Sequence, residues 1–319
     1  MSAKTVLYLI QMRLIWVSRL SVQIGQLTLN NPILTASGTF GYGEEFSSLL
    51  DINRLGGLVT KAVSLEPRSG NPFPRIAETA CGMLNSIGLA NVGVKNFIKH
   101  KLPFLKTLTT AVIVNVAGKT GDDFGRVIAE IENAGGVDGY ELNVSCPNVT
   151  EGGMAFSADP RITAAVTANA RTMTDRCLVV KLSPNVTSIS EIARAAEEAG
   201  ADALSVMNTL VGMAVDIKTG RPKLATITGG LSGPAIKPIA VAKVFEVINA
   251  VNIPVIGIGG IMNCEDVLEF LITGAAAIQV GTANFIDPHI AEQLVDDLES
   301  YCKQNNIDDI NQIIGSLVR

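Results

Sequence analysis

Residues 139–148 read Gly139-Tyr-Glu-Leu-Asn-Val-Ser-Cys-Pro-Asn148. The run alternates apolar positions up to Asn143 and then stops, because a proline cannot continue a ladder. Asn148 and Glu151-Gly152-Gly153 follow and read as a loop. Amides and a thiol therefore sit where a strand ends. In a parallel α/β protein that end is where ligands bind.

Seven more apolar, β-rich runs surround it. They are Ile33–Ser37, Gly57–Val63, Ala111–Val116, Leu178–Ser183, Ala203–Asn208, Pro254–Gly260 and Ala276–Thr282. Helical patterns alternate with them over Asp122–Ala134, Asp159–Thr174, Ser188–Ala199, Ala235–Ala250, Asn263–Thr273 and Asp287–Gln304. Asp122 and Asp159 suit N-caps, Ser188 with Glu191 suits a capping box, and Gly200 and Gly274 suit C-terminal stops. Near-continuous apolar strands imply a parallel sheet covered by helices. Eight strand–helix units predict a closed (β/α)8 TIM barrel. Ser21–Leu29 alternates about Gly25 and predicts a β-hairpin capping the barrel bottom. Long connections at Leu65–Asn91 and Thr209–Pro234 leave the top face as candidate substrate lids. With no internal repeat or linker, residues 19–319 read as a single barrel domain and 1–18 as a non-core extension.

Bulk properties narrow the function. The 319-residue chain is 47% hydrophobic and 17% charged, enough to bury a large core. A net charge of −5 without a basic stripe, and 5% aromatics, argue against nucleic acid as a partner. Five cysteines and two histidines form no C-x-x-C, so the spacing predicts no metal or cluster held by this chain alone. Scattered thiols fit a reducing, cytoplasmic location. The apolar run at 6–17 is too short to span a bilayer; a surface membrane helix is the lesser reading beside a plain extension, with Met12 a conceivable start.

The top ends of the strands form one candidate site. They offer Ser37, Lys61, Asn115, Asn143 with Cys146 beyond, Lys181, Asn208 and Thr209, then Gly257, Gly259 and Gly260, then Gly281 and Thr282. A lone asparagine there is usually a satisfied core amide. So many polar ends together need partners, and a shared polar ligand supplies them. Gly-Ile-Gly-Gly and Gly-Thr occupy the phosphate corner of such barrels, although glycine pairs also serve tight turns. Lys181 suits the N1 region of a reduced flavin and Lys61 an anionic carboxylate; an ion pair with a neighbouring strand is the alternative for both. Cys146 is either a base or a small buried hydrophobe. Ala117-Gly-Lys-Thr120 lacks the first glycine of a P-loop, and no Rossmann fingerprint is present.

Taken together these segments resemble dihydroorotate dehydrogenase from about Leu20 to Asp287. The resemblance rests on Ala36-Ser-Gly-Thr-Phe-Gly41, Lys61, Gly70-Asn-Pro-Phe-Pro-Arg75, Asn85-Ser-Ile-Gly-Leu89, Glu141–Asn148, Asn208-Thr209 and Gly281-Thr-Ala-Asn284. It implies oxidation of dihydroorotate to orotate on FMN, in pyrimidine synthesis. Cys146 would be the base that takes the C5 proton, and the C6 hydride would pass to the flavin. Ser37, Lys61, Ala62, Asn115, Asn143, Lys181, Met207, Gly233, Gly259, Gly260, Gly281 and Thr282 would hold FMN. Lys61, Asn85, Ser86, Ile87, Gly88, Leu89, Asn143, Asn208 and Thr209 would hold substrate. A cysteine base and Asn148–Phe156 resemble the NAD-linked type, whose homodimeric core sits in a heterotetramer with a subunit carrying FAD and a 2Fe–2S cluster. A fumarate-reducing homodimer, or another flavin barrel such as a dihydropyrimidine dehydrogenase-like enzyme, is the alternative. Ser157 stands where many relatives have glycine.

Overall fold

The computed structural model describes residues 19–144 and 159–318. Val22–Ile24 (β1) and Leu27–Leu29 (β2) pair antiparallel across a turn in which Gly25 takes φ +57°. Val22, Ile24 and Leu29 are buried, so one face of this hairpin seals the barrel. Gly25 packs on Asp202 and the Cys177 thiol donates to the Ile24 carbonyl, both near the beginnings of barrel strands. The hairpin therefore closes the bottom, as its alternation predicts.

The barrel strands are β3 (Ile33–Thr35), β4 (Gly57–Val59), β7 (Ala111–Val116), β8 (Gly139–Leu142), β9 (Cys177–Leu182), β10 (Ala203–Val206), β15 (Val255–Ile258) and β16 (Ala277–Val280). All pair parallel and close into one ring in chain order, β16 returning to β3. Most of their residues are buried, because helices cover one face and barrel-interior side chains the other.

The helices are α1 (Val94–His100), α2 (Leu102–Leu105), α3 (Gly121–Ala134), α4 (Pro160–Arg171), α5 (Ile189–Glu198), α6 (Lys237–Ile248), α7 (Cys264–Thr273) and α8 (Ile290–Gln304). Asp159 caps α4 as predicted, and Ser188 caps α5 by accepting from the Glu191 amide, without the reciprocal bond of the predicted capping box. Asp122 does not cap α3. Thr120 is the last extended residue, and its hydroxyl accepts from the Asp123 amide while Asp123 accepts from the Thr120 amide. Asp122 lies in the first turn, where its charge meets the helix dipole. The first strand also departs from the regular pattern. Two 3-10 turns, Glu44–Phe46 and Ile52–Arg54, replace its helix, after Gly38, Gly41 and Gly43 take positive φ. The short helices α1 and α2 escape the periodicity because neither N-cap side chain makes a capping bond and Pro103 interrupts them.

The two long connections are not loose lids. The first supplies β5 (Ile76–Thr79) and β6 (Gly82–Asn85). The second supplies β11 (Leu210–Met213), a small β12–β13 hairpin (Val215–Asp216 and Arg221–Pro222) and β14 (Thr228–Ser232). They join in one antiparallel sheet of order β11-β14-β6-β5, with Gly230 opposite Asn85 and Leu231 opposite Leu84. Their parent strands β4 and β10 stand four places apart in the ring of eight. The sheet thus springs from opposite sides of the mouth and pairs above it.

Candidate active site

A cavity of about 510 Å³ lies between the carboxyl ends of the barrel strands and this sheet. Ser37, Lys61, Ala62, Asn143, Lys181, Met207, Asn208, Thr209, Gly233, Gly259, Gly260, Gly281 and Thr282 all line it, and so do Asn85, Ser86, Ile87, Gly88 and Leu89. The volume falls within the range of small-molecule sites, roughly 300–1,000 Å³. Asn115 does not reach the wall; it is fully buried one layer below, its amide spent on Glu141. Gly257 likewise serves packing, since a Cβ there would strike the Phe270 ring. Cys146, the catalytic candidate, lies outside the described residues, as do Ser157 and the extension before Arg19.

One corner is bare backbone. Gly259 takes φ +135° and Gly260 φ +74°, conformations that favour glycine. A Cβ on Gly260 would come within 2.9 Å of the Gly233 carbonyl, so a side chain there would fill the corner. Gly259 and Gly260 line the cavity with backbone and leave no room for a side chain against Ala240 and Lys237. Thr282 donates to Ser232 across 2.8 Å, which ties the corner to the overlying sheet.

The two lysines on the wall stand in different surroundings. The Lys61 amide donates to the Gly41 carbonyl at 2.7 Å, and no carboxylate among the described residues pairs with its ammonium. Lys181 is nearly buried, with Glu141 3.8 Å away. Glu141 is a fully buried carboxylate on β8. Its Oε1 accepts from Asn115 at 2.6 Å and faces Lys181; its Oε2 accepts from Ser205 at 2.9 Å and Gln279 at 2.7 Å. Asn143 extends the chain, donating to the Asn115 carbonyl oxygen at 3.4 Å. Sequence reasoning passed over Glu141, Ser205 and Gln279. The available signal was a charged or amide side chain inside an apolar strand, such as Glu141 in Gly139–Leu142 and Gln279 in Ala277–Val280.

The thiols divide by burial. Burial first, then the Asp202 charge, pushes Cys177 up to about 12; burial, then nearby acids, pushes Cys264 up to about 11. Neither supplies thiolate near neutrality. Tyr42, also pushed up to about 12 by burial, holds the wall by donating to the Ala62 carbonyl at 3.4 Å.

Fold and cavity define a (β/α)8 barrel in which polar groups from many strand ends line one cavity. Comparison with known proteins gives the family. The dihydroorotate dehydrogenase family model matches residues 19–302, and the chain belongs to that family. A protein of Desulforamulus reducens named dihydroorotate dehydrogenase B (NAD(+)), catalytic subunit, is 52% identical over 297 residues, covering 93% of this chain and 98% of its own. Proteins of the same name from Trichlorobacter lovleyi and Bacteroides thetaiotaomicron are 53% and 51% identical over 298 residues, each match covering 93% of this chain and 98% of the relative. A crystal structure of DHODH from Eimeria tenella in complex with ferulenol shares the fold with a TM-score of 0.76 at 23% identity, covering 98% of this chain and 94% of that one.

Proposed function

We propose that this chain is the catalytic subunit of an NAD-linked dihydroorotate dehydrogenase, oxidising dihydroorotate to orotate in pyrimidine biosynthesis. One observation carries the reading. Lys61, Asn143, Lys181 and Asn208, from four different strand ends, meet Asn85–Leu89 of the overlying sheet on a single cavity with a glycine corner. The chain is an oxidoreductase of that family, and high identity over nearly the full length of relatives named as NAD-linked catalytic subunits supports the acceptor.

The cofactor in this reading is FMN. The glycine corner at Gly233, Gly259, Gly260, Gly281 and Thr282 fits its phosphate, and Ser37, Ala62, Met207 and Lys181 would flank its ring. When bound, FMN supplies the hydride acceptor. The protein does the rest. Lys61 pairs with the substrate carboxylate. Asn85, Asn143, Asn208 and Thr209 orient the pyrimidine ring, with the 86–89 backbone against its edge. Cys146 takes the C5 proton, while hydride leaves from C6. In this reading a separate subunit bearing FAD and a 2Fe–2S cluster would relay the electrons to NAD+, around a homodimeric core. Residues 1–18 are an extension to a single domain over 19–319. The location in this reading is cytoplasmic; no helix among the described residues is long and apolar enough to cross a membrane.

The test is a purified chain assayed with NAD+, fumarate and a quinone, with and without the partner subunit. Flavin absorbance that bleaches with dihydroorotate, and NAD+ reduction only with the partner, are expected. Fumarate reduction by the chain alone would overturn the acceptor, and a colourless protein that takes up no FMN would overturn the whole reading. Cys146→Ala is expected to keep FMN and lose most of the reductive half-reaction at neutral pH; bleaching at the wild-type rate would remove Cys146 from the chemistry.

A further inference from the structure

The reaction above leaves the buried Glu141 unused. An ionised carboxylate only accepts, at about four lone-pair positions. Here Oε1 faces Asn115 and Lys181, and Oε2 faces Ser205 and Gln279, so each oxygen meets two donors. Every neighbour must then present an N–H or O–H to Glu141. Asn115 in consequence turns its oxygen away, and that oxygen accepts from Asn143 on the cavity wall. Lys181 lies between the carboxylate and the cavity, because it lines the wall and Glu141 does not.

We infer that Glu141 is a positioning residue for the bound flavin: it places a counter-charge against Lys181 at the cavity floor and fixes the orientation of the Asn115–Asn143 pair. This rests on the reading of Lys181 as a flavin-facing group. Glu141 is the one carboxylate among the described residues that pairs with Lys181. The other strands facing this cluster contribute Asn115, Ser205 and Gln279, which do not titrate, and Lys61 is the other cation on the wall. A neutral glutamine at 141 would leave a buried ammonium without its counter-charge, and such a group gives up its proton more readily. It would also present an N–H on one side, so that either Asn115 or the Gln279 amide must turn over.

The experiment uses the full chain with FMN and the variant Glu141→Gln. Between pH 6 and 9 its FMN dissociation constant and its two-electron reduction equilibrium should shift by about tenfold, the equivalent of one charge-assisted hydrogen bond, as Lys181 loses its charge. Wild type should stay nearly flat over the same range. Glu141→Gln/Lys181→Met should lose that pH dependence and should melt above Glu141→Gln alone as apoprotein, while Lys181→Met alone should be flat but offset from wild type. A Glu141→Gln profile that overlays wild type, while Lys181→Met departs from it, overturns the role of Glu141. If Lys181→Met also matches wild type, the flavin-facing reading of Lys181 falls; bleaching of wild type by dihydroorotate tests the proposed function separately. Aggregation of Glu141→Gln and of the double variant alike would assign Glu141 to the fold and overturn the pairing.

Discussion

Lys61 and Lys181 are the same residue type on the wall of one cavity, yet the protein treats them in opposite ways. Lys181 has a counter-charge built into the barrel, and that carboxylate also accepts hydrogen bonds from Asn115, Ser205 and Gln279. Lys61 has no paired carboxylate among the described residues, and in the proposed reading the substrate carboxylate is its partner. A charge neutralised inside the fold contributes to a permanent surface. A charge left open contributes to recognition.

Three substitutions would break or sharpen that contrast. The largest expected effect is Lys181→Ala, which strands Glu141 with three neutral donors. Removing one partner of a buried pair costs about 3 kcal/mol. Thermal denaturation of the apoprotein should show it, and an unchanged melting temperature would refute the pairing. Lys61→Ala should leave the apoprotein as stable as wild type and weaken dihydroorotate binding by about 2 kcal/mol, the loss of one charge-assisted contact. Titration of bound substrate measures this, and unchanged affinity would contradict the carboxylate role. The smallest effect is expected for Ser205→Ala, which empties one acceptor position on Glu141 and should cost about 1 kcal/mol in denaturant unfolding with substrate affinity untouched. A loss at Ser205 as large as at Lys181 would erase the distinction between charge and simple hydrogen bonding.

The barrel was legible because burial on both faces writes apolar runs, and the corner because its positive φ angles favour glycine. Ser37, Lys61, Asn143, Lys181 and Asn208 stood out as polar ends of such runs, and the structure brings them together. Asn115 looked the same in sequence yet sits one layer down, since alternation gives the face of a strand but not the depth at which a side chain stops. Glu141 was visible as an interruption, but its donors come from β7, β9, β10 and β16, and no local pattern links them. The sheet over the mouth was illegible for a similar reason. Asn85 lies opposite Gly230, 145 residues away, and such pairing leaves no period behind. Its half-exposed strands, with Ile76, Val211 and Met213 in solvent, read as loop.

That sheet has a topological consequence. Anchored at β4 and β10, it runs along a diameter of the ring and divides the opening into two arcs. One arc belongs to β15, β16 and β3, with the glycine corner and exposed Phe285 at its edge; the other belongs to β7, β8 and β9. The glycine corner therefore lies to one side of the strap, and the strand ends that carry Asn143 and Lys181 lie to the other.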